Sequence, residues 1–162
     1  MRLNITHWCI KQFYKGGRSI NINIINSRIS KLREYLKILK ELTKENKDDF
    51  LSNYKIYGLA ERYLQLSIEC LLDIGNHIIS GLELKKPEKL QDIFLILGEN
   101  SILPKQFAKK VAKMAGFRNI LVHGYSDIDE NLVYDSLTQG LTDFEDFIKY
   151  ILKFLENSQQ EK

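Results

Sequence analysis

Between Gly58 and Ser80 the chain carries large apolar side chains on almost every side of a helix. Leu59, Tyr63, Leu64, Leu66, Ile68, Leu71, Leu72, Ile74, Ile78 and Ile79 leave little of the circumference polar. A helix of this kind is stable only when neighbours cover it on most sides. One narrow stripe is the exception. Arg62, Gln65, Glu69, Asp73, Asn76 and Ser80 recur at three- and four-residue spacing, and at about 100° per residue they stack along one line. The segment therefore predicts the central helix of a helical bundle, with a polar seam running down one side. Gly81 is expected to stop it.

The remaining chain supplies the neighbours. Ile25, Ile29, Leu32, Leu36, Leu39 and Leu42 step by three and four, as one helix face requires, and Asn26 or Ser27 is the expected cap. The charged run Lys44 to Asp49 reads as a solvated link. Pro87 is expected to open a shorter helix with Leu90, Ile93, Phe94 and Leu97, closed by Gly98. Pro104 suits the first turn of the next, whose stripe is Phe107, Val111, Met114, Arg118, Leu121 and Tyr125. Beside that stripe, Ala108, Ala112, Ala115 and Gly116 form a small-residue surface for close packing. Asp129 is placed to cap a last helix carrying Val133, Leu137, Leu141, Phe144, Ile148, Leu152 and Leu155. The expected fold is all-α: an up-and-down bundle of four main helices and a short one.

The ends differ from this pattern. Residues 1–24 contain Gly16-Gly17 and the alternating Ile20, Ile22 and Ile24; the alternation suggests a short extended segment, and the favoured reading is a loosely attached tail or an extension upstream of the native start. The helical domain is expected over 25–158. The polar tail is 159–162, with fraying from Asn157 onward.

Composition narrows the function classes. Of 162 residues, 44% are hydrophobic and 28% charged, which excludes wholesale disorder. The net charge of +3 permits nucleic-acid binding without requiring it. Cys9 and Cys70 stand alone, so neither a disulfide framework nor a zinc site is expected. No apolar run reaches the roughly 20 residues of a membrane span, and no signal peptide is evident. A reduced, cytoplasmic setting with no cofactor and no metal is the expectation.

Chemistry concentrates in Arg118-Asn119-Ile120-Leu121-Val122-His123-Gly124-Tyr125. Arg118 and Tyr125 fall where the stripe calls for core residues. A buried guanidinium needs an anion, and the central helix offers Glu69 and Asp73 on its polar stripe. Two readings stay open on these grounds. The seam is an ion pair that fixes helix register, or it is a site. His77 reads as a satisfied core histidine, and His7 carries no functional assignment.

Arg118, four residues, His123, one residue and Tyr125 resemble the Arg-x4-His-x-Tyr motif of HEPN proteins of the HepT toxin family. Ala60 to Glu69, followed by Asp73-Ile74-Gly75-Asn76-His77, resembles that family's second helix. Met114 to Tyr125 resembles its motif helix. The likeness covers about Ile25 to Leu155. It implies a homodimeric, metal-independent endoribonuclease toxin of a type VII-like toxin–antitoxin pair, with RNA as substrate. It implies His123 as base and Arg118 as phosphate stabiliser. Asn119, Glu69, Asp73 and Asn76 are the expected supporting polar seam. It also implies a nucleotidyltransferase antitoxin of the MNT (MntA) type that attaches AMP to Tyr125.

The residue types suit that chemistry. A 2′-hydroxyl nucleophile needs a base near neutral pKa, which histidine supplies. The phosphate needs a fixed cation, which arginine's fork supplies. AMP on Tyr125 would add bulk and negative charge beside both. Geometry raises one difficulty. Residues five apart on a continuous helix point about 140° away from each other, so either the helix ends before Gly124 or the site is shared between two chains. A non-catalytic helical partner of a nucleotidyltransferase, and a purely structural bundle, are the competing readings.

Overall fold

The computed structural model describes residues 20–123 and 128–160, with side chains described as far as Ser158. Six helices lie in this part: α1 (Ile22–Leu42), α2 (Lys47–Ser52), α3 (Tyr54–Gly81), α4 (Leu90–Glu99), α5 (Lys105–His123) and α6 (Glu130–Gln160). The described residues contain no strand. The expected all-α bundle is what forms, with α2 added.

Helix α3 is the axis. It packs against each of the other five helices, which is why its apolar residues cover nearly every side. Leu64, Ile68, Leu71, Ile74 and Ile78 are at most 1% exposed. Arg28 on α1 meets Asp73 on α3 and Tyr35 meets Tyr63, so α1 and α3 run antiparallel. On the other side Lys110 pairs with Asp143 and Phe107 stacks near Tyr150, so α5 and α6 also run antiparallel. Phe94 of α4 meets Phe147 of α6 edge-on, with ring centres 6.1 Å apart, and both rings are fully buried.

Several local expectations need correction. The alternating isoleucines do not make an extended segment to residue 24. Asn21 accepts a hydrogen bond from the N–H of Asn23 at 3.0 Å and starts α1 at Ile22, because a short polar side chain at this point satisfies an otherwise orphaned helix donor. Neither Asn26 nor Ser27 is the cap. Ile20 is buried. His77 Nε2 accepts the Asn21 N–H at 2.9 Å, so the histidine pins the start of α1, in line with a structural role. His7, Gly16-Gly17 and the rest of the extension up to residue 19 lie outside the described residues.

The charged run is not only a link. Asn46 accepts from the Asp49 N–H at 3.0 Å, and Asp48 and Asp49 fill the first turn of α2, where negative charge complements the helix dipole. Phe50 then anchors this short helix in the core. The shorter helix α4 starts at Leu90 rather than beside Pro87. The Asp92 carboxylate accepts from the N–H groups of Glu88 and Lys89 and fixes that boundary. The C-terminal segment continues as helix to Gln160 instead of fraying from Asn157.

The two glycine stops act by packing, not by backbone freedom. The left-handed residues after α3 and α4 are Glu83 and Ser101. A Cβ on Gly81 would stand 3.0 Å from the Ile20 backbone nitrogen, and one on Gly98 would stand 2.6 Å from the Ala108 Cβ. Gly75 similarly admits Ile93. The small-residue surface of α5 thus meets α4 through Ala108. Gly116, expected to join it, faces open space.

Candidate active site

Helix α5 carries its motif at its last two turns. Pro104 precedes it, and the Pro104 carbonyl accepts the first helical bond from Ala108. Ala108, Val111 and Ala115 are its buried face. Arg118 continues that face one turn on and reaches α3, where its Nη2 stands 3.1 Å from Glu69 Oε1. The two side chains are 25% and 33% exposed. Gln65 Nε2 donates to the same Glu69 oxygen at 3.0 Å, and Arg62 Nη1 donates to Gln65 Oε1 at 3.2 Å. The first half of the α3 stripe, Arg62 to Glu69, is therefore a connected chain ending on the motif arginine. Arg118 Nε is buried and has no hydrogen-bond partner among the described residues, so this guanidinium still has a donor to give.

The structure separates the expected seam residues. Glu69 alone takes Arg118. Asp73 turns to α1, where Arg28 Nε stands 3.2 Å away with both side chains about half exposed. Asn76 and Asn119 do not join the Arg118 chain; both are exposed and line one cleft. His123 is the last residue of α5 and is exposed. Helix α5 is continuous between Arg118 and His123, so the two do not share a face, and the described helix ends at His123. Tyr125, with Gly124, lies outside the described residues.

Reading the sequence missed Arg28, whose partner is identifiable only once α1 and α3 are known to be antiparallel. Gln65 was recognisable on the polar stripe but not as the residue that steadies Glu69.

Two other titratable groups mark the surroundings. Burial pushes the Cys70 thiol up to about 11, so it stays protonated at neutral pH and is no nucleophile. Burial, and then the nearby Glu130 carboxylate, raise Glu61 above the ordinary carboxylate value. Among the described residues no group of three His, Cys, Asp or Glu stands together as metal ligands do, and no helix is long and apolar enough to cross a membrane.

Beside the motif, α5 borders an open apolar groove of about 480 Å3. Leu64 and Ile68 of α3 contribute to it, with Phe117 and Ile120 of α5 and Leu132 and Phe144 of α6. Ile120 is 45% and Leu132 40% exposed. A Cβ at Gly116 or Gly140 would meet nothing within 4 Å, so no described residue closes the groove there.

A bundle around one central helix, with an arginine–histidine helix laid on its polar stripe, is a HEPN-class bundle. The ribonuclease HepT-like family matches residues 32–151, and the chain belongs to that family. The chain is 34% identical over 138 residues to the tRNA nuclease HepT of Aphanizomenon flos-aquae, covering 85% of this chain and 94% of that protein. It is 28% identical over 129 residues to the mRNA nuclease HepT of Shewanella oneidensis, covering 80% and 96%. Among solved structures it resembles the tri-AMPylated Shewanella oneidensis HEPN toxin in complex with MNT antitoxin. The TM-score there is 0.75 at 28% identity, over 80% of this chain and 97% of that one.

Proposed function

We propose that this protein is a metal-independent endoribonuclease toxin, acting in the cytoplasm and silenced by a nucleotidyltransferase antitoxin. The observation that carries this reading is Arg118. It is held half-buried by Glu69 at 3.1 Å, keeps a buried donor unpaired, and stands on the helix that ends in exposed His123. A guanidinium fixed by one carboxylate is held in place to offer its remaining N–H groups to a phosphate. His123 takes the proton from the 2′-hydroxyl and Arg118 stabilises the charge growing on the phosphate. Cleavage by this route needs no metal ion and no cofactor. The related nucleases named for tRNA and mRNA support RNA as the substrate class.

The continuous α5 puts Arg118 and His123 of one chain on different faces. A homodimer resolves this by bringing a second motif helix to the same cleft. The open apolar groove beside α5, with Ile120 and Leu132 exposed, supports a second chain there. Tyr125 is the proposed acceptor of AMP from the antitoxin, as the AMPylated toxin–MNT complex of a related protein suggests. The added phosphate repels RNA from the same site.

One observation favours a second reading, a non-catalytic partner of the nucleotidyltransferase. His123 has no hydrogen-bond partner among the described residues to fix its tautomer. Cleavage of total RNA and of tRNA in EDTA, wild type beside His123→Ala, decides between them. Cleavage by the wild type alone is expected. Cleavage that requires a divalent ion, or persists in His123→Ala, contradicts the proposed mechanism; silence of both proteins favours the non-catalytic reading. For the modification, Tyr125→Phe is expected to escape neutralisation by the antitoxin, and full neutralisation of that variant would contradict it.

A further inference from the structure

A polar cleft of about 610 Å3 lies between the second half of α3, the connection from α3 to α4, and α5. Its walls carry the amides Asn76, Gln91 and Asn119, the lysines Lys86 and Lys89, and one carboxylate, Glu88. A second hollow of about 600 Å3 shares Asn76, Lys86 and Pro87 with it and lies toward Ser80 and Glu83, so the two adjoin. All three amides and both lysines are exposed. None of the amides makes a side-chain hydrogen bond, and neither lysine makes an ion pair, among the described residues. The ion pairs among the described residues lie elsewhere, on α1 and just after it and on α3, α5 and α6.

The position of the cleft matters as much as its lining. Asn119 and His123 are four residues apart on α5, about 6 Å along the axis and on nearly the same face. The cleft thus opens one helical turn from the proposed base. Its size is within the range of sites that hold small molecules. Each amide offers a donor and an acceptor side by side, the pattern that reads the edge of an unstacked base in single-stranded RNA. The lysines supply point charges for a phosphate.

We infer that this cleft is a nucleotide subsite, which reads the base next to the cleaved bond through Asn76 and Gln91 and holds its phosphate on Lys86 and Lys89. The inference rests on the ribonuclease reading, and binding separates the two. The full-length His123→Ala protein is titrated into four fluorescein-labelled single-stranded homo-oligoribonucleotides, followed by anisotropy. One oligomer is expected to bind at least about 10-fold tighter than the weakest, as amide readout of a base allows. Asn76→Ala or Gln91→Ala, added to the same protein, reduces that ratio to about threefold or less. Lys86→Gln weakens all four and lowers the slope of log affinity against log salt by about 0.7. Circular dichroism checks the fold of each variant, and all of these residues are exposed.

In parallel, the wild type is given a random-sequence RNA pool and the cut ends are sequenced. A preference at one position flanking the cut, lost in Gln91→Ala, supports the subsite. Equal binding of all four oligomers, or a preference unchanged in both amide variants, overturns it. A wild type that binds with the amide-dependent preference but cuts nothing overturns the nuclease reading and leaves the subsite standing.

Discussion

Helix α3 makes two arginine–carboxylate pairs from one polar stripe, and they are built differently. Glu69 holds Arg118 with the side chains 33% and 25% exposed, and Gln65 steadies the carboxylate from below. Asp73, one turn on, holds Arg28 with the side chains 51% and 49% exposed and no further hydrogen bond among the described residues. Water reaches about half of each side chain in the second pair and screens it, so it contributes little beyond helix register. The first is shielded enough for geometry to matter, and its arginine keeps an unpaired buried donor. Two pairs identical in residue chemistry thus separate into a surface clamp and a candidate phosphate site, through burial and support alone.

The largest effect is expected at Arg118. Arg118→Ala should lower RNA cleavage by about 10²–10³-fold, as loss of one fixed electrostatic donor does. It should also cost about 1–2 kcal/mol of stability, between the values for exposed and buried pairs, read by urea denaturation. Next comes Glu69→Gln, which leaves the guanidinium in place but loosely held. Cleavage should fall on the order of 10-fold, within the loss that misplacement of a reacting group produces. Arg28→Ala should cost less than about 1 kcal/mol. That cost should vanish when ionic strength rises from about 0.05 to 0.5 M, because exposed charges are screened, and cleavage should be unchanged. Equal salt sensitivity in the Arg118 and Arg28 variants would erase the distinction between the pairs.

The smallest effect concerns a third carboxylate of α3, Glu61, which has no cationic partner among the described residues. Burial and Glu130 raise Glu61 above its ordinary value of 4.5, so ionisation costs more in the folded state than in the unfolded one. That cost is present above the raised value and absent below the ordinary one. Glu61→Gln should therefore raise Tm by about 1–2 °C at pH 7, with the gain fading as pH falls through the raised value and gone below the ordinary value of 4.5. A Glu61→Gln protein melting lower than wild type at pH 7 would contradict this assignment.

Much of this was legible in the sequence. The apolar circumference of residues 58–80 identified the central helix, because periodicity reports how many sides need cover. The same periodicity placed Glu69 and Arg118 on facing stripes. It did not reveal which carboxylate Arg118 would choose, since Glu69 and Asp73 are one turn apart and chemically alike. That choice follows from the antiparallel setting of α1, which delivers Arg28 to Asp73. Gly81 and Gly98 were read as helix stops because glycine often ends helices. Here they mark close approaches, to Ile20 and Ala108, that only the tertiary arrangement creates. Asn21 was passed over as a cap because the alternating isoleucines around it imitate a strand over too few residues to be distinguished from a helix start. The cleft of Asn76, Gln91 and Lys86 was invisible for a similar reason, as its walls come from separate segments with no shared periodicity.

The most direct test of the contrast between the two pairs keeps both charges and changes only the fork. Arg118→Lys and Arg28→Lys are compared with wild type for RNA cleavage in EDTA and for stability in urea, on the same preparations. An ammonium can still pair with either carboxylate but cannot supply a planar, multidentate donor set. Arg118→Lys is expected to lose at least about 100-fold in cleavage while remaining within about 1 kcal/mol of wild-type stability, and Arg28→Lys to match wild type in both. Wild-type cleavage by Arg118→Lys, or equal losses in the two variants, would show that the Glu69–Arg118 pair is a register clamp like its neighbour and not a phosphate site.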